Sequence, residues 1–143
     1  MNEEEQDCVI AAEVAADEFD RWTEAMDLDV DPAFMDQEDL ATFNATRRRL
    51  ERELMRGSLV INDDGEAVYT PSNKRSAYKN PITFHERTGA SVMASDNQKK
   101  GRDIAKTYAM MGDMTGLPPK TFAGLAGTDI KVCEAIFTLL FTG

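Results

Sequence analysis

Apolar side chains recur along the front of the chain at helical spacing. From Val9 onward, Ile10, Val14, Trp22 and Met26, with Phe19 between them, follow roughly the helical period and predict an amphipathic helix ending near Asp27. The chain restarts after Asp31-Pro32. Asp36 is placed to cap a second helix and Asp39 to sit in its first turn, with Leu40, Phe43, Leu50 and Leu54 as the apolar stripe and Gly57 as the stop. In residues 59–69 the pattern changes to two short β-prone runs, Leu59-Val-Ile and Ala67-Val-Tyr, around Asn62-Asp-Asp-Gly, which is a hairpin signal. Residues 70–80 are polar, contain Pro71 and run up to Pro81, and read as an exposed loop; Ile82-Thr-Phe-His then offers a third short strand. Thr88-Gly89 opens further helix. Ile104, Tyr108 and Met111 make one stripe in a helix from Arg102 to Met114, and Gly116 ends it. Pro118-Pro119 starts a short helical turn reaching Leu125, and Thr128-Asp129 is placed to cap the last helix.

That last helix is the most informative segment. Ile130, Cys133, Phe137, Leu140 and Phe141 fill one stripe, while Val132, Ile136 and Leu139 occupy much of the opposite side. A helix apolar nearly all round is either deeply buried or covers a partner surface. Met93, Met110, Met111 and Met114 add deformable side chains to the same half, suited both to irregular cores and to adaptable contacts. Together the elements predict an α+β, mainly α-helical fold. An acidic N-terminal helical hairpin occupies residues 1–57, and residues 58–143 form a core with a β-hairpin, a third strand and a C-terminal helical bundle, the whole making one compact domain.

Charge sharpens this picture. The 143 residues include 26 acids against 16 bases, for a net charge of -10, which opposes general nucleic-acid binding. The first 40 residues hold 15 of those acids and a single base, Arg21. The leading residues 1–7 are too polar to pack. Arg47, Arg48, Arg49, Arg52 and Arg56 line the polar face of the second helix and could receive the acidic first helix in a charge-matched hairpin. They are also the residues that a DNA-binding reading would use, together with Lys99-Lys100-Gly-Arg102. Cys8 and Cys133 stand near opposite ends, with no Cys-x-x-Cys motif and no leader, which points to a reducing compartment and no zinc site. The longest apolar run, residues 136–141, contains Thr138 and is too short to span a bilayer.

Candidate chemistry is sparse. Asp27, Asp29, Asp31 and Glu38 stand where a helix-flanked calcium loop keeps its oxygen ligands, but Pro32 occupies the position that such a loop gives to a sharply turning glycine. An acidic linker is the simpler reading, and no metal or other cofactor is expected. Asp63-Asp-Gly reads as turn chemistry. His85 is the only histidine, Ser58, Ser91 and Ser95 lie in no nucleophile elbow, and the glycines form no phosphate loop, so an enzyme is not expected.

The order of pieces also carries a resemblance. Leu59-Val-Ile-Asn-Asp-Asp-Gly-Glu-Ala-Val-Tyr, Ile82-Thr-Phe-His-Glu-Arg-Thr-Gly, Met111-Gly-Asp-Met-Thr-Gly-Leu-Pro-Pro, and Leu125 followed by Asp129-Ile-Lys-Val-Cys resemble the tail assembly chaperones of long-tailed bacteriophages, over residues 59–141. Phe19-Asp-Arg-Trp-Thr-Glu-Ala-Met-Asp-Leu-Asp is similar to phage tail gene products, and the acidic front is longer than in smaller members. The resemblance implies a non-enzymatic protein of the infected host cell's cytoplasm, which keeps the tape measure protein soluble until tail tube protein replaces it. Such a protein is absent from the mature virion. The gene often also yields a longer frameshifted product. The family supplies no ligand position. The contact surface for the tape measure protein, and for a homo-oligomer, is therefore expected from the apolar pattern at Ile136, Phe137, Leu140 and Phe141, with Met110, Met111 and Met114 beside them.

Overall fold

A computed structural model describes residues 8–86 and 103–142. Residues 1–7, the helix expected to open at Thr88-Gly89, Met93, Ser91, Ser95 and the basic cluster around Lys99 and Lys100 lie outside the described residues, as does Gly143. The fold is α+β and mainly helical. In chain order it comprises α1 (Ala12–Ala25), a 3-10 turn (Pro32–Phe34), α2 (Gln37–Arg56), β1 (Leu59–Ile61), β2 (Ala67–Tyr69), β3 (Ile82–Phe84), α3 (Asp103–Thr115), α4 (Lys120–Ala123) and α5 (Gly127–Thr142).

Helix α1 starts later than the periodicity predicts, because Val9 and Ile10 form a bend and both donate to the Met55 carbonyl at the end of α2. The buried face is Ala15, Phe19, Trp22 and Met26, spaced for one helical stripe. Val14, assigned to that stripe from sequence, is 45% exposed, and the smaller Ala15, four residues before Phe19, takes its place at 0%. Helix α2 begins as expected. Asp36 Oδ1 accepts from Asp39 N at 2.7 Å, and Gly57 in the left-handed region closes the other end. Phe43, Leu50 and Leu54 pack inward, and Phe19 meets Trp22 and Phe43 with ring centroids 5.8 and 6.2 Å away. Burying an aromatic of this size contributes about 1.5–3 kcal/mol.

The three strands form an antiparallel sheet in the order β1-β2-β3, with Leu59 opposite Tyr69 and Tyr69 opposite Ile82. Alternation puts Leu59, Ile61, Ala67, Tyr69, Ile82 and Phe84 on the covered face and leaves Val60 out. The β1-β2 turn is organised by Asn62, whose side-chain oxygen accepts from Asp64 N and Glu66 N at 3.0 and 2.9 Å. Gly65 in this turn has φ +80°, and a Cβ there would lie 2.4 Å from Ala25 Cβ, so glycine is required twice over, by backbone conformation and by contact with α1. One cluster of buried side chains runs from Ala15 in α1 through the sheet to Leu140 in α5, so the acidic front and the rest share a core.

Candidate functional site

The residues expected to contact a partner divide sharply. Met111, Met114, Ile136 and Leu140 are 0–3% exposed and form part of the core, so they are covered by this chain itself. Met110, Phe137 and Phe141 are only half-buried. The physical reason is the position of α5, which lies against α2 on one side while α3 lines the groove on another. Val132, Cys133, Ile136, Leu139 and Leu140 are thereby enclosed, and Lys131, Glu134 and Thr138 make the exposed stripe. What stays accessible is an edge. Phe137 and Phe141 meet in a tilted contact with centroids 4.6 Å apart, and Ile104, assigned to the packed stripe of α3 from sequence, is 70% exposed although Met111 further along that stripe is buried.

Two grooves meet at Thr138, and Phe137 lines one of them. One, of about 270 Å³, is lined by Ile104, Thr107, Tyr108, Glu134, Phe137 and Thr138. The other, of about 380 Å³, lies between α5, α2 and the α1-α2 linker, with Val30, Met35, Phe43 and Leu139 as its apolar wall and Asp29 and Asp39 at its margin. Among the described residues, no Lys or Arg lines either groove. Burial, then the nearby Glu134, pushes the Tyr108 phenol up, so the first groove presents a neutral hydroxyl beside its apolar wall.

The most elaborate polar arrangement was not anticipated. Asp129 does not cap α5. Its side chain is fully buried and turns to the loop of residues 70–80, whose polar sequence predicts exposure but in which Pro71 and Ser76 are buried. Asp129 Oδ1 accepts from Tyr69 Oη at 2.7 Å and from Ser72 N at 3.1 Å, and Oδ2 accepts from Asn73 N at 3.1 Å and Ser76 Oγ at 2.5 Å. Ser76 Oγ in turn accepts from Ala126 N at 2.7 Å, and Asn73 Nδ2 donates to Thr128 Oγ1 at 2.7 Å, so the loop caps the α5 entry in place of the expected local cap. Burial alone raises the Asp129 pKa. The hydrogen bonds from Ser76, Tyr69 and the two backbone amides outweigh it and hold the carboxyl below its ordinary value. Burial first, and then the Asp129 carboxylate, push the Tyr69 phenol far up. Both oxygens of Asp129 are consumed by donors from the chain, which makes the group a structural clasp.

The other candidates are dispersed. Asp31 Oδ1 accepts from Ala33 N at 2.9 Å to cap the 3-10 turn, Asp27 adopts φ 54°, and Glu38 projects from the exposed first turn of α2. Among the described residues, no group of three or more His, Cys, Asp or Glu converges as a metal site, so Asp27, Asp29, Asp31 and Glu38 are not brought together. His85 is exposed and pairs with Glu66. Cys133 is buried in α5, and burial, then Asp129 and Glu134, push its thiol up, which keeps it protonated and inert. Among the described residues, Arg47 links the two helices of the hairpin by charge. Arg47 reaches Asp20 at 3.1 Å and Glu51 at 2.7 Å and lies 4.7 Å from the Phe19 ring centroid. Arg21 from α1 instead donates to the Ile61 and Asn62 carbonyls. Among the described residues, no helix is long and apolar enough to cross a membrane. No family model, curated protein or solved structure matches this chain.

Proposed function

We propose that this protein is a tail assembly chaperone of a long-tailed bacteriophage, acting without chemistry of its own by covering the tape measure protein in the cytoplasm of the infected cell. Tail tube protein displaces it, and it stays out of the finished particle. The observation that supports this reading best is the accessible apolar edge of α5. Phe137 lines one of two grooves that meet at Thr138, with Phe141 packed beside it, and among the described residues the charged lining is acidic, Glu134 in that groove and Asp29 and Asp39 in the other. Such an edge suits a long helical client with an apolar stripe and basic flanks, laid into a groove by its anchors at helical spacing. Strong net negative charge keeps the loaded complex soluble. The sequence segments from Leu59 to Phe141 that resemble the family add support from a separate direction.

Co-expression with the tape measure protein of the same genome tests the proposal. A soluble complex is expected, with the tape measure protein insoluble when made alone; failure of the two to associate would overturn it. The burial pattern also selects the right variant. Phe137→Asp is expected to leave the fold intact and weaken client capture at least about tenfold, as loss of an aromatic anchor does. Leu140→Asp places a charge at a site 3% exposed and is expected to cost about 4 kcal/mol or more, unfolding the protein.

A further inference from the structure

Helix α1 carries Glu13, Asp17 and Glu24 two positions before the buried Ala15, Phe19 and Met26, and two residues is about 200° round a helix. Arg48 and Arg52 likewise stand two positions before the buried Leu50 and Leu54 of α2, with Arg49 beside them. Each helix therefore turns a stripe of one sign directly away from the core. Among the described residues Arg48, Arg49 and Arg52 are exposed and meet no carboxylate, and Glu13, Asp17 and Glu24 are exposed and meet no base. Neighbouring helices sit about 8–10 Å apart, and two stripes that both point outward from such a pair do not close on each other. An unpaired arginine row in a protein of net charge -10, beside an equally unpaired acidic row, is a self-complementary surface.

We infer that this two-helix face is the interface for a second copy of the same chain, joined as a two-fold dimer with α1 of each copy laid over α2 of the other. The heights agree. The hairpin is antiparallel, since Val9 bonds to Met55 and Asp20 meets Arg47. Measured along the helices from the Asp20–Arg47 pair, Asp17 and Glu13 lie about 4.5 and about 10.5 Å toward the open end of the hairpin, and Arg52 lies about 7.5 Å in the same direction. Arg52 of one copy thus falls between Asp17 and Glu13 of the other, and Arg48 and Arg49 fall within about 3 Å of the height of Asp17. A two-fold axis parallel to the helices satisfies both halves at once, as an isologous contact requires. Ala41 and Ala45, exposed along the arginine face, allow close approach. The face is about 20 Å long and about 20 Å wide, roughly 400 Å² per copy, which is small beside a standard interface and fits a weak, reversible dimer. This inference is independent of the chaperone reading and concerns a different surface.

Sedimentation equilibrium of the full chain tests it. At about 0.1 M salt, screening over about 10 Å mutes the repulsion between net charges but not pairs in contact, and a concentration-dependent dimer is expected; at about 1 M, where screening falls to about 3 Å, the mass returns to that of the monomer. Arg48→Glu/Arg49→Glu/Arg52→Glu is expected to be monomeric, as is Glu13→Lys/Asp17→Lys. Mixed in equal amounts, the two variants are expected to form a heterodimer, because the reversed charges again face each other. If circular dichroism shows that a reversal variant is unfolded, Arg48→Gln/Arg49→Gln/Arg52→Gln serves in its place, with loss of the dimer expected. A wild-type monomer at every concentration, a dimer that survives the arginine changes or about 1 M salt, or reversal variants that fail to pair would each overturn the inference. Binding of duplex DNA that the arginine changes abolish, with the protein monomeric throughout, would assign the face to nucleic acid instead.

Discussion

The α1-α2 hairpin and the entry of α5 use charge in opposite ways. The hairpin displays its ions at the surface: Arg21 with Glu18 at 2.7 Å, Arg47 with Asp20 at 3.1 Å, and Arg56 with Glu53 at 3.6 Å. In each of these pairs at least one partner is well exposed, and such pairs contribute about 0–1 kcal/mol. Packing of Phe19, Trp22, Phe43, Leu50 and Leu54 is what holds the two helices. The α5 entry instead buries a single carboxylate and gives it no opposite charge at all. Tyr69, Ser76 and the amides of Ser72 and Asn73 surround Asp129 with four donors, and away from water each bond counts for more than an exposed ion pair. Many charges in solvent position little, whereas one charge in a dry cradle fixes a loop, a strand end and a helix start together.

Removing the buried carboxylate should break this contrast with the largest effect. Asp129→Ala strands two hydroxyls and two amides, and with partial rescue by water the expected loss is about 3 kcal/mol, read from the urea midpoint. Proton linkage gives the next test. Because the Asp129 pKa is lowered on folding, its contribution is complete above the unfolded value of about 3.9 and fades as pH falls through the folded value beneath it. The stability gap between wild type and Asp129→Ala should therefore be flat from about pH 5 to about pH 9 and narrow below about pH 4. A gap unchanged at about pH 3 would show that the cradle does not favour the ionised form. Tyr69 runs the other way. Its raised pKa means a contribution complete below about 10 that is lost as pH climbs toward the folded value, a decline that Tyr69→Phe should remove.

At neutral pH Tyr69→Phe is expected to cost about 1.5–2 kcal/mol, one hydrogen bond to a charged acceptor, with the sheet register unchanged by amide exchange. The smallest effect belongs to the hairpin. Arg47→Ala loses two exposed or half-exposed ion pairs and the contact with the Phe19 ring, and is expected to cost about 1 kcal/mol, part of which disappears at high salt. A salt-independent loss of about 3 kcal/mol would mean that the hairpin, too, depends on a desolvated charge.

The elements themselves were legible before any coordinates. The Asp36 cap, the Gly57 stop, the hairpin around Asn62 and Gly65, the third strand at Ile82–Phe84 and the short helix after Pro118-Pro119 are all written in neighbouring residues, because caps, turns and strand alternation act over a few positions. The same holds for the periodicity of α5. Which residues of that helix meet solvent was not legible, since periodicity marks a face without saying what covers it. Ile136 and Leu140 went to the interior and Phe137 and Phe141 to the edge only because α2 lies where it does. The clasp was further out of reach. Asp129 and its partners are separated by 53 to 60 residues, and nothing local to Thr128-Asp129 distinguishes a cap from an acceptor for a distant loop. Local sequence settled where helices and strands begin and end, through short-range hydrogen bonding and backbone conformation. Tertiary structure decided which apolar faces stay open and where the Asp129 carboxylate is buried, because burial and long-range hydrogen bonds exist only once distant segments have closed around a common core.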